Sequence, residues 1–251
     1  MKPTLLIITA FLCMSVLNAQ NNTSITSNEK LVYDVSYNMS DELKTQVARL
    51  TMETSPVTIS GSPLIHLQCK ALTYDKWNNY FKIRDLYESY VDSSNLKPFL
   101  FKKIANEGGN IQEYKYVYNY EEDKIIVSNK TTSKDQALKP EIKDIISTIY
   151  NLRNLDFTQL KTRETFPVKF LFEGQEYSLL VKLLGKGKIG AGPLGTKQCY
   201  KLAVGNSEEE LKSRRQNIIW LTADAKKIPV EAILTIPLGS GHIKLISANG
   251  I

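Results

Sequence analysis

The stretch EYKYVYNY carries the side chains with the clearest capacity for binding chemistry. Tyr114, Tyr116, Tyr118 and Tyr120 recur at every second position, so on a β-strand they share one face. Tyrosine offers flat apolar area with a polar tip, which suits a groove for a sugar or an acyl chain. Ordinary cross-strand packing on a half-exposed sheet produces the same pattern. The four tyrosines are therefore candidate ligand-binding residues, with structural packing as the alternative.

A second candidate is a pair of opposite charges, each placed among apolar residues. In FKIRDLYESYV, Asp85 falls on the same strand face as Ile83 and Tyr87. In DIISTIYNLR, Arg153 falls near the centre of the apolar arc of a predicted helix. A buried carboxylate and a buried guanidinium each need a partner, so the sequence predicts an Asp85–Arg153 contact, as a structural pair or as part of a site. The alternative is that Arg153 extends past the helix end, with its head in water.

The sequence contains no motif with the surroundings that cofactor or metal binding requires. The segment GKGKIG, residues 185–190, matches GxGxxG, but pyrophosphate binding needs a helix N-terminus after the glycines, and here a strand follows. We expect these glycines to form a flexible hairpin turn. His66 and His242 have no metal-ligand spacing around them, and no nucleophile elbow is present. The sequence thus predicts no cofactor and no metal, and it favours a non-catalytic protein.

One enzymatic alternative remains. A pair of carboxylates is sufficient for glycoside hydrolysis, and only their separation in space identifies them. The acids to compare are Asp85, Glu88, Asp92 and Asp224. A carboxylate-based hydrolase acting on an envelope glycan is accordingly the alternative to a binding protein.

Residues 1–19 indicate export. MKPTLLIITAFLCMSVLNA has a short basic start, an apolar run and a small final residue, Ala19, as in a cleavable signal peptide. Cys13 lacks the small preceding residue of a lipoprotein signal, so we expect a soluble exported product. No later stretch approaches the ~18 apolar residues of a spanning helix, and the mature chain is expected to contain no transmembrane segment.

Charge and cysteine content narrow the range of partners. The formal net charge is +6, from 32 basic and 26 acidic residues, and removal of residues 1–19 takes away one lysine. Mild basicity suits contact with anionic lipid or polysaccharide, whereas scattered lysines and the exported location exclude nucleic acid as a partner. Cys69 and Cys199 lie in apolar strand-like runs, which favours buried thiols over a disulfide.

Most of the chain alternates apolar and polar residues. Short strands with a turn signal about every ten residues predict an antiparallel all-β domain. Residues 20–29, QNNTSITSNE, are polar and predict a mobile leader. Residues 30–251 then form a single β-rich domain, because no linker of low complexity interrupts them.

One segment has helical periodicity instead. Its apolar residues recur at i, i+3, i+4 and i+7, and they are Ile142, Ile145, Ile146, Ile149 and Leu152. Pro140 suits the first turn, while Lys143, Ser147, Thr148 and Asn151 are expected on the polar side. Such a helix would cover the apolar face of a curved sheet.

Four stretches in this order resemble an exported bacterial family known as domain of unknown function 3108. They are FKIRDLYESYVDSSNLKPFLF, DIISTIYNLR, GTKQCYKL and IIWLTADAKKIPVEAIL. The most recognisable pieces are Asp85, the turn at Asp92, the helix with Asp144, Tyr150 and Arg153, and the hairpin with Trp220, Asp224 and Pro229. The resemblance runs from about Lys30 to the end. It implies a Gram-negative envelope location and a curved β structure akin to open half-barrels that carry lipoproteins, and it implies no activity.

These observations define one expectation for the whole protein. The fold is all-β with one central amphipathic helix, built as a curved antiparallel sheet or open half-barrel. The protein is periplasmic and non-catalytic, and it binds a lipid or glycan in the concave face of the sheet or assists envelope assembly. Its partner is a lipid, a glycan or an envelope protein.

Overall fold

The computed structural model describes residues 21–38, 44–122, 124–160, 164–236 and 239–251. The predicted signal peptide, residues 1–19, lies outside the described residues. Within them, fifteen strands form one sheet. The strands are β1 (Lys30–Asn38), β2 (Lys44–Ile59), β3 (Ser62–Thr73), β4 (Arg84–Asp92), β5 (Pro98–Glu107), β6 (Asn110–Tyr120), β7 (Ile125–Asn129), β8 (Lys134–Leu138), β9 (Lys143–Asp144), β10 (Thr165–Phe172), β11 (Gln175–Gly190), β12 (Thr196–Gly205), β13 (Asn217–Thr222), β14 (Pro229–Ile236) and β15 (Gly239–Asn249).

The sheet consists of two wings that meet at the first and last strands. One wing runs from β1 to β8 and the other from β15 back to β9, each in sequence order, and β1 pairs with β15. Neighbouring strands are antiparallel, except that β9 pairs with β10 in parallel at two positions. The sheet does not close on itself. The predictions of a mostly β fold and an unclosed antiparallel sheet are therefore confirmed.

Two α-helices accompany the sheet in the described residues, α1 (Ile145–Leu152) and α2 (Glu208–Lys212). Helix α1 begins five residues after Pro140, because Asp144 is its N-cap and accepts the backbone N–H of Ser147 at 2.8 Å. Among the described residues, no helix has the length and apolar character needed to cross a membrane.

Helix α1 is buried on more than its apolar side. Ile146 and Tyr150 belong to the larger core cluster inside the sheet, while Leu152 packs against a second cluster around Leu202. Ser147 and Thr148, which the sequence places on the polar side, are buried as well. Isoleucine is a poor helix former, so packing against both clusters holds this short helix.

The polar segment before β1 is docked and is not a mobile leader. Ser24, Ile25 and Glu29 are buried. The backbone N–H of Asn28 donates to the carbonyl of Thr54 at 2.9 Å, and the backbone N–H of Thr54 donates to the carbonyl of Glu29 at 2.9 Å. Composition alone predicts disorder here, but buried partners elsewhere in the chain satisfy the segment's polar groups.

The cysteines and the glycine-rich stretch also find structural roles. Cys69 and Cys199 are buried free thiols, as predicted. Residues 185–190 belong to strand β11, so the expected flexible hairpin turn is wrong; the turn follows at residues 191–195. A Cβ on Gly187 would lie 3.3 Å from the Trp220 ring, which explains why a glycine occupies this strand position.

The turn after β11 generates a stability prediction. Gly192 has φ +56°, and a Cβ there would lie 2.1 Å from the backbone oxygen of Leu245 on β15. Gly61, in the turn between β2 and β3, has φ +81° but open space around it. We expect Gly192→Ala to lower the free energy of unfolding by about 3 kcal/mol and Gly61→Ala by about 1 kcal/mol. Urea denaturation of both variants measures the difference, and equal losses would contradict the close contact.

Candidate functional site

Arg153 forms a buried ion pair with Glu29. Its Nη1 and Nη2 donate to Glu29 Oε1 and Oε2 at 2.6 and 2.7 Å, and each residue is 1% exposed. The guanidinium also donates to the backbone oxygens of Lys226 at 3.0 Å and Ser24 at 3.3 Å. Four of the five N–H groups of the guanidinium are hydrogen-bonded in this buried, bidentate arrangement, so Arg153 is committed to the interior.

The predicted Asp85–Arg153 contact does not form. Arg153 is buried as expected, but its carboxylate partner is Glu29, just ahead of β1. Asp85, on β4, accepts the backbone N–H of Asn106 at 3.1 Å, and burial raises the pKa of its carboxyl group. Asp85 and Arg153 therefore form hydrogen bonds with different groups in the interior, and they do not form a joint site.

The remaining acids and the histidine on β3 are engaged locally. Asp92 and Asp224 each accept backbone N–H groups from residues that follow them in their own turns. Glu88 lies 2.8 Å from His66 Nε2 on the neighbouring strand. Among the described residues, no three His, Cys, Asp or Glu side chains are grouped to hold a metal ion. Asp92 and Asp224 thus act as structural caps of turns.

The tyrosine face lies mostly within the core. Tyr116 and Tyr118 are each 1% exposed, and Tyr114 is half-buried. Tyr116 stacks on Phe101 with ring centroids 5.6 Å apart, and burial raises its pKa to about 12. Tyr120, at 37% exposed, donates its hydroxyl hydrogen to the Pro98 carbonyl. The four side chains share one face as the periodicity indicates, and their burial supports the packing alternative.

A buried lysine links the two wings of the sheet beside these tyrosines. Lys103, on β5, forms an ion pair with Glu173 in the turn between β10 and β11. Its ammonium group lies 5.6 Å from the Tyr114 ring, 5.9 Å from the Tyr87 ring and 5.0 Å from the Phe172 ring. Because β5 belongs to one wing and the β10–β11 turn to the other, this contact holds the two wings together.

A cleft remains between α1 and β10. Its volume is about 330 Å³, at the lower end of ligand-pocket sizes. The lining is shared by the helix, the segments on either side of it and the strand, and comprises Glu141, Lys143, Thr148, Asn151, Leu152, Leu155, Phe166, Pro167, Val168 and Lys169. The cleft exists because β10 pairs with β9 only at Phe170 and Leu171, which leaves its earlier residues open on the side away from β11.

The cleft is apolar at one end and charged at the other. The strand register sets Lys143 opposite Phe170, which follows Lys169 on β10. Lys143 and Lys169 therefore belong to the same end of the cleft. From this charged end, α1 runs toward Leu152, and the open edge of β10 runs toward Phe166. An amphiphile has the same arrangement of a polar head and an apolar tail.

Two polar residues of α1 line the middle of the cleft. Thr148 is only 7% exposed, and its hydroxyl has no hydrogen-bond partner among the described residues. The Asn151 Oδ1 atom, one turn further along α1, is likewise buried without a partner. Buried polar groups without partners are rare and costly, but both of these atoms lie beneath the cleft surface and would need a side-chain rotation to meet a ligand. The sequence placed both residues on the exposed side of the helix, so they were missed as site residues.

Comparison with known protein families gives a match over most of the chain. The family described as protein of unknown function (DUF3108) matches residues 32–246, and the chain belongs to this family. The resemblance found in the sequence is thereby confirmed. No curated protein matches the chain.

Two solved structures match the chain, and only the first supports the fold. A β-barrel-like protein of domain of unknown function DUF1849 from Brucella abortus is 12% identical, with a TM-score of 0.59, and the match covers 89% of this chain and 97% of that one. A candidate lipoprotein from Parabacteroides distasonis is 8% identical, with a TM-score of 0.36, over 89% of this chain and 96% of that one. The first similarity supports an open, barrel-like sheet and carries no information on activity.

The buried ion pair yields a prediction about folding. Glu29→Ala leaves the Arg153 charge buried without a counter-charge and should lower the free energy of unfolding by about 3–5 kcal/mol. Glu53→Ala is the matched control, because Glu53 pairs with Lys30 at the surface and its loss should cost about 1 kcal/mol or less. Chemical denaturation compares the two variants. Similar losses in both would show that the buried pair does not anchor the fold.

Proposed function

We propose that this protein is a non-catalytic, exported envelope protein that binds an amphiphile in the cleft between α1 and β10. The observation that carries the proposal is the cleft itself, with an apolar end lined by Leu152 and Phe166 and a charged end lined by Lys143. Ligand sites in proteins commonly combine apolar lining with a few polar groups that fix orientation.

A lipid fits this cleft better than a glycan. The far end is lined by Leu152, Leu155, Phe166 and Val168, which offer apolar contact and no hydrogen bonds from their side chains. A sugar presents hydroxyl groups on every side, and burying them against such a surface leaves them unpaired. The tyrosine face, which would have suited a sugar, supports the core instead.

An exported location supports the same ligand class. The signal peptide predicted in residues 1–19 would deliver the chain to the envelope, which in a Gram-negative cell means the periplasm. Amphiphiles are abundant there, and a protein that shields an acyl chain from water would assist envelope assembly without catalysing a reaction. The engaged carboxylates give the hydrolase alternative no comparable support.

Filling the cleft tests the proposal. Val168→Trp places a large ring among the apolar lining residues and should reduce binding of dodecanol and laurate at least about tenfold, because the acyl chain loses its space. The control is Ile104→Trp, an equally large side chain at an exposed position of β5. Native mass spectrometry of the exported chain measures the bound ligand, and thermal unfolding checks that both variants are folded.

Two results would contradict the proposal. If the parent protein binds neither amphiphile, the cleft is not a lipid site. If Val168→Trp binds both ligands as well as Ile104→Trp does, the ligands are held elsewhere on the molecule.

A further inference from the structure

We infer that the amphiphile bound in this cleft has an anionic head group, a carboxylate or a phosphate, and that Lys143 is the residue that holds it. The inference rests on the proposed function, because it assigns the charged end of the same cleft.

Lys143 is a partly buried cation near one carboxylate, Asp144, with which it forms no ion pair. It lies on β9, is partly buried, and has no ion-pair partner among the described residues. The adjacent carboxylate of Asp144 is directed elsewhere, since it accepts the Ser147 backbone N–H at 2.8 Å and the Ser89 hydroxyl at 2.7 Å. A partly desolvated ammonium group with no partner is unfavourable, and an anionic ligand would relieve it.

The surroundings of Lys143 strengthen this argument. It directly precedes the N-terminus of α1, the end at which the helix dipole favours negative charge and disfavours a cation. Burial lowers its pKa to about 8, Asp144 opposes that change, and the charge of Lys97 adds to it. Glu141 and Lys169 are the other charged groups in the cleft lining. An anion beside Lys143 would meet its positive charge and a favourable helix end.

The dimensions of the cleft match a head and a tail. Three residues of β10 separate Lys169 from Phe166, which is about 10 Å along a strand. Seven residues of α1 separate Ile145 from Leu152, which is again about 10 Å along a helix. The cationic end and the apolar end are therefore set apart by a similar length on both walls. Thr148 lies between them on the wall formed by α1.

Three ligands with the same dodecyl-length chain separate the alternatives. Laurate carries a carboxylate, dodecyl phosphate carries a phosphate, and dodecanol is neutral. At about pH 7 the parent protein should bind the two anions at least about tenfold more tightly than dodecanol. A lysine provides a point charge with no fixed fork, so the ratio of laurate to dodecyl phosphate identifies which anion the site prefers.

The variant Lys143→Met removes the charge and keeps an unbranched side chain that is one atom shorter. It should lose the preference for the anions and still bind dodecanol like the parent protein. Lys115→Met is the control, since it removes a charge from an exposed position on β6. Competition between the ligands in native mass spectrometry gives the relative affinities.

The pH dependence provides a second readout. Lys143 loses its proton as the pH rises through about 8, so laurate binding should weaken between about pH 7 and about pH 9. Dodecanol binding should not change over this range, and Lys143→Met should abolish the pH dependence for laurate.

The outcomes distinguish this inference from the proposed function. Equal binding of all three ligands by the parent protein, or an unchanged anion preference in Lys143→Met, overturns the assignment of Lys143 and leaves the cleft as a site for amphiphiles. Failure to bind any of the three overturns the proposed function itself.

Discussion

The ion pair between Arg153 and Glu29 is the interaction on which the rest of the structure depends. It joins the end of α1 to the segment just ahead of β1, and the Lys226 carbonyl adds the turn between β13 and β14. Because β1 pairs with β15, this one contact fixes the helix against the line where the two wings meet. A buried pair gives little net stability over an apolar substitute, but an unpaired charge is strongly destabilising, so the arrangement specifies one geometry.

The helix is held equally firmly at its start. Asp144 caps α1 and binds Ser89 on β4, so the N-terminus is attached to one wing while Arg153 attaches the C-terminus to the other parts of the molecule. A helix fixed at both ends does not need to pack along its whole length. The side of α1 that faces β10 can therefore remain partly open, and the cleft there is preorganised without a bound ligand.

Alternation of apolar and polar residues predicted the strands, the shared face of the tyrosines and the buried cysteines, because these depend on neighbours in the chain. It did not predict the partner of Arg153, which is 124 residues away in a segment whose composition resembles a disordered leader. The start of α1 was placed too early because Pro140 and Asp144 both carry start signals, and the side-chain cap decides between them. Thr148 was assigned to the solvent side because helical periodicity assumes one buried face.

The position of the candidate site follows from what the core requires. In this sheet Tyr116, Tyr118 and Tyr150 are packed in the core, and Lys103 is paired with Glu173 between the two wings, so these side chains are committed to the structure. The open edge of β10 is the remaining opening beside α1. A partner strand is a poor occupant of that edge, because Pro167 lacks a backbone N–H and proline is typical of strand edges that do not pair. The proposed amphiphile needs no backbone hydrogen bonds from β10, and its acyl chain would cover the apolar wall that the unclosed sheet leaves beside the helix.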